Sequence, residues 1–432
     1  MKSHFDVLVI GGGPAGTTIA SLLAEQGHTV CLLEKMHHPR FHIGESLLPM
    51  NLPLFEKLGV LEQVDAIGIK KYAAEFNSLE ANLAQDIFYF AKATNDSPDF
   101  AYQVRRSELD EILFRNCQKK GVIALEGMTV THTELGSPIK KILALDDQGQ
   151  QSKFTSQYLV DASGRDTVLA QQLKSKRKNP RHKMAAIFAH FDNVEYRPGI
   201  DKGNISIYWF QYGWVWLIPL QDGTVSVGCV CWPEYLKTRD TNLADFLHRS
   251  LELIPEISKR MKNAQLASEV YATGNYSYQS EIMSGEGFLL IGDAYAFVDP
   301  VFSSGVYLAM QSATRGAELV DKLLKGSADS KQLTHKFEQS VANEISAFCW
   351  FIFRFNSLAL HKLLMASDEA SQHPVKQKIK SAVISVLAGD AYQNSQIKFP
   401  LLAFKLLYYI NKLLEFKENR AFAIFKKQQS GE

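Results

Sequence analysis

The chain has 432 residues, 46% of them hydrophobic and 22% charged, and 47 basic side chains against 46 acidic ones give it a formal net charge of +1. That length allows two or three domains, each able to bury a core, and the near-even charge balance does not demand a nucleic-acid surface, so no nucleic-acid partner is expected. Five cysteines (Cys31, Cys117, Cys229, Cys231 and Cys349), none in a C-x-x-C pair, exclude a disulfide framework and fit a reduced, cytoplasmic setting. Cys229 and Cys231 share one face of a strand-like run without a second pair, so no metal site is expected. The N-terminal apolar run is short and flows into glycines rather than a cleavage site, so it does not read as a signal peptide. The most apolar late stretch, Ile345 to Met365, contains Arg354 and His361. It reads as a burial-prone helix or a membrane-facing patch rather than a transmembrane span.

Phe5 to Ile10 is a compact apolar strand, followed by Gly11, Gly13 and Gly16. Thr17 to Gln26 reads as a helix and Thr29 to Leu33 as a second strand ending at Glu34, which completes a βαβ unit. Residues 50–66 suggest a helix and a short link, and Tyr72 to Phe76 alternates. Ser107 to Leu113 opens a helix that Ser107 would cap. Val122–Leu125, Thr129–His132 and Ile142–Leu145 read as short strands. Tyr158 to Val160 then runs into Asp161-Ala-Ser-Gly-Arg165, a second strand-to-turn junction. Residues 182–232 are rich in strands and aromatics, and their alternation predicts a half-buried antiparallel sheet. Helical sequence covers about 241–266. The strand Gly287 to Asp293 follows, then a helix from Val306 to Leu323. The last hundred residues read as mostly helical, with loops around 366–380 and 390–399.

Gly11-Gly-Gly13-Pro14-Ala15-Gly16 is a dinucleotide signature. Gly11 permits the tight turn, Gly13 lets backbone approach a pyrophosphate, and Gly16 lets helix and strand pack closely. The phosphates would meet free N–H groups at the helix N-terminus. Glu34 stands about 20 residues beyond the glycines, where an acid receives a ribose hydroxyl. This signature alone does not separate FAD from NAD. Ile291-Gly-Asp293, followed by Pro300, Gly305 and a helix, favours FAD: the acid can accept from a ribityl hydroxyl, and the helix N-terminus can face the electron-rich end of the flavin.

Further motifs extend the pattern: Gly44-Glu45-Ser46 with Pro49, Val104-Arg-Arg106-Ser-Glu-Leu-Asp110, Trp214-Val-Trp216-Leu-Ile218-Pro219, and Phe297-Val-Asp-Pro300-Val-Phe-Ser303-Ser-Gly305. With the glycine turn they resemble the FAD-dependent halogenases, most closely the pyrrole- and phenol-directed type that includes the pyrrolyl-carrier-protein enzymes. Leu109 stands where the family pattern has Phe. Asp299 before Pro300 departs from the Glu-Pro of the tryptophan-directed enzymes and removes their usual base. Asn343–Leu358 resembles the aromatic helix of the pyrrole and phenol type, and Leu387–Tyr392 a late stretch of the pyrrolyl-carrier enzymes.

The resemblance implies an α/β fold. Its dinucleotide-binding FAD domain, of the flavin monooxygenase type, would be assembled from residues 1–76, 101–170 and 285–330. Residues 77–100 and 171–284 would form an antiparallel-sheet substrate domain, and 331–432 a mainly helical C-terminal region. It implies halogenation with chloride or bromide, dependent on FADH2 and O2, through hypohalous acid. The FADH2 would come from a separate NAD(P)H-dependent flavin reductase, and the substrate would be a pyrrolyl group on a carrier protein or a phenol. The cofactor would be held by Gly11, Gly13, Pro14, Ala15, Gly16, Glu34, Lys35, Ser46, Arg106, Asp293, Pro300 and Gly305. Halide would sit on the backbone N–H groups of Ser304 and Gly305, although Ser304 reads equally as a helix cap. Trp214, Trp216, Pro219, Phe351 and Phe355 would line the substrate tunnel.

Lys71 would carry halogen transfer, either as an ammonium that hydrogen-bonds hypohalous acid or as an amine that forms a haloamine. Lys70 is its neighbour and competitor. On a strand the two point to opposite faces, so only one would enter the tunnel. An aromatic hydroxylase or an isoprenoid reductase would share the scaffold, but a hydroxylase would not need Lys71 or halide.

Overall fold

The first strand, His4–Ile10, is almost entirely apolar and sits inside a parallel sheet, as a strand covered on both faces must. Val30–Leu33 pairs with it on one side and Gln151–Asp161 on the other, so Ile10 lies level with Leu33 and Asp161. The sheet extends through Ile123–Leu125 at one end and Phe288–Leu290 at the other. The strands Thr129–Glu134 and Lys140–Leu145 attach to Gln151–Asp161 in antiparallel fashion. In the computed structural model, residues 3–78, 85–94, 97–179, 183–274, 277–365, 373–390, 395–414, 416, 420, 421 and 424 are described.

The helix Pro14–Glu25 packs against Gly305–Leu324 and Arg106–Lys119, which covers one face of this sheet. A Cβ on Gly16 would stand 1.9 Å from the carbonyl oxygen of Gly11, and Gly11 itself has φ +100. The sharp turn from strand to helix therefore requires glycine at both positions. Arg106–Lys119 begins one residue before Ser107, so Arg105 occupies the cap position and makes no side-chain cap bond. Ser107 is not the cap; the Arg106–Asp110 ion pair braces this turn instead.

A second sheet runs in the order Gln265–Leu266, Ala185–Asp192, Val225–Cys231, Gly213–Pro219, Ile205–Phe210, Ala73–Ser78, Asp86–Tyr89. Its neighbours are antiparallel except Ala73–Ser78 beside Ile205–Phe210. The sheet is buried on both faces, not half-buried as its alternation predicts. One face, with Phe188, Trp214 and Trp216, joins the core of the first lobe. The other, with Ile187, Val215, Cys229 and Cys231, is covered by the helices Leu243–Glu252 and Pro255–Arg260. Cys229 and Cys231 do share a face. The Cys229 thiol is pushed well up by its hydrogen bond with the free thiol of Cys231 and by burial, so it stays an inert thiol.

The C-terminal region consists of the helices Ser330–Ile352, Leu358–Leu364, Pro374–Ala388 and Ser395–Leu414. Helix therefore occupies 374–380 and 395–399, where loops were expected. Pro374 stands in the first turn, where a missing N–H costs nothing, and the His373 side chain accepts from the Val375 N–H. Residues 366–372 and 391–394, including Ala391 and Tyr392 of the late motif, lie outside the described residues, as do 79–84 and 95–96. Among the described residues no helix is long and apolar enough to cross a membrane, and no cluster of three His, Cys, Asp or Glu side chains is placed to hold a metal.

Candidate functional site

A cavity of about 300 Å³ opens between the glycine turn, the Ala162–Asp166 turn and the aromatic face of the second sheet. It gathers Gly11, Gly13, Pro14, Ala15, Glu34, Lys35, Ser46, Arg106, Asp293, Pro300 and Gly305, together with Trp214 and Trp216. Gly16 serves the packing behind the wall. Gly13 and Gly305 of the lining have neither a packing reason to be small nor a left-handed backbone that calls for glycine. A Cβ on Gly13 would meet only Arg40, at 3.7 Å, and one on Gly305 would meet nothing within 4 Å. Both side chains would instead enter the cavity, so the glycines keep room for a bound group. These residues fit a bound FAD molecule.

The charged lining is ordered by its neighbours. Glu34 accepts from the Gly12 N–H at 2.7 Å and the Met36 N–H at 2.9 Å, which fixes its carboxylate at the mouth of the glycine turn. Arg106 bridges Asp110 and the carbonyl of Ile43, and Arg40 reaches the same Asp110 at 3.1 Å. Burial alone would raise Asp110, but Arg106 and Arg40 outweigh it and hold the carboxyl below its ordinary range. Asp293 is pushed up to about 6 by burial, with Arg106 and Arg165 acting in the opposite direction. Arg40, in the polar stretch after Glu34, was not singled out from the sequence. It lines the cavity with its guanidinium held between two carboxylates, Nε 3.6 Å from Glu34 Oε1 and the Nη1 atom on Asp110. His190 was also missed: its Nε2 lies 2.8 Å from Glu45 Oε1, a buried contact between residues 145 apart in sequence. Glu45, in the Gly-Glu-Ser triplet, was the available signal.

Gly305–Leu324 starts directly after Ser304, and Ser303 takes φ 56 to turn the chain into it. The Ser304 side chain makes no cap bond, which removes the capping reading. Gly305 lines both the main cavity and a smaller one of about 50 Å³, and Ser304 lines the smaller one alone. Asp299 accepts from the Val301 N–H at 3.1 Å, a positional role.

Lys71 lines neither cavity. It ends the short strand Ile69–Lys71 and is almost fully buried. Its Nζ donates to Ser46 Oγ at 3.0 Å and to the Leu47 carbonyl at 2.9 Å, with the Phe90 ring centroid 5.4 Å away. Burial lowers it from 10.5 to about 7. Ser46 belongs to the cavity wall, so the amine stands one side chain behind that wall. Lys70 points the other way, half exposed and 3.8 Å from Asp65.

Trp214 and Trp216 present neighbouring rings 5.7 Å apart. Phe355 sits behind them, 4.8 Å from Trp209 and 6.1 Å from Trp214, and Phe351 packs on Phe302 and Phe404. Neither phenylalanine lines a described cavity, and nor does Pro219. They fill the interior between the second sheet and the helical region.

A family model described as FAD binding domain matches residues 4–342. A tryptophan 2-halogenase of Chondromyces crocatus is 34% identical over 345 residues, 78% of this chain and 65% of that relative. The chain thus spans just under two thirds of that relative's length. A 1H-pyrrole-2-carbonyl-[peptidyl-carrier protein] chlorinase of Pseudomonas fluorescens is 27% identical over 421 residues, 92% of each chain. Flavin-dependent halogenase gsfI of Penicillium aethiopicum is 33% identical over 79% of this chain and 69% of its own. Among solved structures, a flavoprotein/dehydrogenase from Cytophaga hutchinsonii superposes with TM-score 0.86 at 26% identity, covering 96% of this chain and 100% of that one. The flavin-dependent brominase Bmp2 gives 0.80 at 27%, covering 95% and 100%.

Proposed function

The chain belongs to the flavin-dependent halogenases, FAD-binding oxidoreductases that use O2 and halide, and from that premise we propose that it halogenates a pyrrolyl ring held as a thioester on a carrier protein, through hypohalous acid and Lys71. The substrate reading draws on the pyrrolyl-carrier chlorinase, whose match spans 92% of both chains. The Lys71 reading is carried by one observation: a buried amine bonded to Ser46, itself part of the cavity wall.

Reduced FAD, when bound, supplies the oxygen activation and the oxidation of halide. The FADH2 would come from a separate NAD(P)H-dependent flavin reductase, as the family resemblance implies. The protein's own groups bind and orient. The N–H groups at the start of Pro14–Glu25 face the pyrophosphate, Glu34 takes a ribose hydroxyl, and Asp293 takes a ribityl hydroxyl. The backbone N–H groups of Ser304 and Gly305 hold halide. Trp214 and Trp216 wall the flavin side from water and substrate.

In halogen transfer the ring carbon forms a bond to the halogen as the oxygen–halogen bond breaks. The oxygen leaves as hydroxide and becomes water by taking a proton from the Lys71 ammonium or from solvent, and the ring carbon loses its proton to solvent or a nearby base. With a proton affinity near neutrality, Lys71 serves as a hydrogen-bond donor to hypohalous acid in its charged form and as a nucleophile in its neutral form. Pyrrole is electron-rich enough to need no strong base, in keeping with Asp299 being tied to the backbone.

The test is the intact mass of a pyrrolyl-loaded carrier protein after incubation with the enzyme, FAD, a reductase, NADH, O2 and bromide. Bromine in place of hydrogen supports the proposal. An unchanged carrier alongside brominated free tryptophan or phenol would reassign the substrate. A gain of one oxygen without halide would reassign the reaction to hydroxylation.

A further inference from the structure

The helix Ser395–Leu414 is apolar on two opposite sides. Ile397, Leu401, Phe404 and Tyr408 are buried against the protein. Phe399, Leu402, Leu406 and Leu413 recur at three-, four- and seven-residue spacing on the other side, exposed by 80%, 63%, 61% and 73%. Tyr409 and Ile410 widen that outer stripe. A contiguous exposed apolar stripe of this length marks an interaction surface.

The charge around the stripe identifies what it meets. Lys398, Lys405 and Lys412 follow one another at seven-residue intervals, so they form a single row along one edge of the stripe. The adjacent helix Pro374–Ala388 adds Lys376, Lys378 and Lys380, with Lys380 bound to Asp86. Neither helix contains an acidic residue, although the whole chain balances to +1.

We propose that this helix pair is a docking surface for an anionic lipid bilayer, on which the protein lies peripherally. Leucine and phenylalanine side chains would enter the acyl boundary. The lysines would extend their stems along the apolar stripe and place their ammonium groups among the phosphates. A second copy of this chain fits less well. A two-fold pairing would bring lysine rows together with no carboxylate from either helix to answer them, and lysine is depleted at the cores of protein interfaces.

The experiment is vesicle flotation of the full chain loaded with FAD. Vesicles of phosphatidylcholine alone are compared with vesicles containing phosphatidylglycerol. Flotation with the anionic vesicles, weakened by high salt, is expected. The double variant Leu406→Glu, Leu413→Glu should lower the bound fraction at least tenfold. The triple variant Lys398→Gln, Lys405→Gln, Lys412→Gln should lower affinity about a hundredfold, taking the usual contribution of each lysine near an anionic surface. Leu406, Leu413, Lys398 and Lys412 are exposed and Lys405 is half-buried with its ammonium 5.3 Å over the Trp350 ring, and FAD fluorescence reports that each variant is folded. If one variant fails to retain FAD, the other still decides. A full chain that stays in the aqueous phase overturns the proposal, as does flotation unchanged by both variants. A dimer in solution that the leucine variant dissociates, with no vesicle binding, assigns the face to a second copy instead.

Discussion

Replacing Lys71 with methionine separates what the amine does for chemistry from what it costs the fold. Burial lowers its pKa from 10.5 to about 7. Each unit is worth about 1.4 kcal/mol, so protonating Lys71 in place costs roughly 5 kcal/mol more than in the unfolded chain. The sign follows from proton counting. Below pH 7 both states carry the proton and the full cost is present. Between about pH 7 and 10.5 the unfolded chain holds more protons, so wild-type stability rises with pH by about 1.4 kcal/mol per unit. The Lys71→Met variant has no such group. It loses bonds to Ser46 and Leu47, an offset of about 1–3 kcal/mol that does not vary with pH. The difference between variant and wild type in urea unfolding, followed by tryptophan fluorescence, should therefore shift toward wild type by about 2–3 kcal/mol from pH 7 to pH 9. Halogenation should vanish in the variant while FAD binding persists. A stability difference constant across this pH range would refute the depressed pKa, and retained halogenation would remove Lys71 from the chemistry.

Gly13→Ala should fold normally and bind FAD at least tenfold more weakly in a fluorescence titration, because its Cβ enters the cavity. Gly16→Ala, whose Cβ would stand 1.9 Å from the Gly11 carbonyl oxygen, should reduce the yield of folded protein. Asp110→Asn leaves Arg106 and Arg40 facing a neutral amide and should cost about 3–5 kcal/mol at pH 7 in chemical unfolding. Because the Asp110 carboxyl is held below its ordinary range, wild type should lose that advantage only as pH falls through and below the usual carboxylate range, and the variant should show no corresponding loss. Phe355→Ala, which empties a site between Trp209, Phe302 and Trp214, should destabilise by about 3–5 kcal/mol without changing FAD affinity.

The dinucleotide turn was legible because its reasons are local. A strand, two glycines that must touch other backbone, and a helix follow each other within a few residues, and Glu34 lies at the end of the next strand. The second sheet was harder. Its strand Val225–Cys231 is apolar at nearly every position, a sign of burial on both faces, yet the helices that cover its outer face come later in the chain and have polar sides of their own. The Glu45–His190 contact joins residues with no sequence relation. The aromatic residues Phe351 and Phe355 read as tunnel lining because sequence reports that a ring is apolar but not which neighbours enclose it. The same limit hides the outer stripe of Ser395–Leu414: Phe399 and Phe404 are the same residue type on the same helix, and only the fold shows that one is packed and the other is bare.

Lys70 and Lys71 make this dependence on context quantitative. They are chemically identical and adjacent, and a strand sends them to opposite faces. Lys70 reaches water and Asp65, so its charge is cheap to keep. Lys71 is enclosed, its two acceptors are a hydroxyl and a carbonyl, and neither carries a charge that would offset the burial of an ammonium. A neutral amine has two N–H groups, enough for those two acceptors, and keeps a free lone pair. Methionine or leucine at position 71 would fill comparable space without the desolvation cost. A fold that holds an amine there at roughly 5 kcal/mol against its own stability, one side chain behind the wall of its cofactor cavity, has the pattern of a reactive group whose proton affinity is tuned toward neutrality.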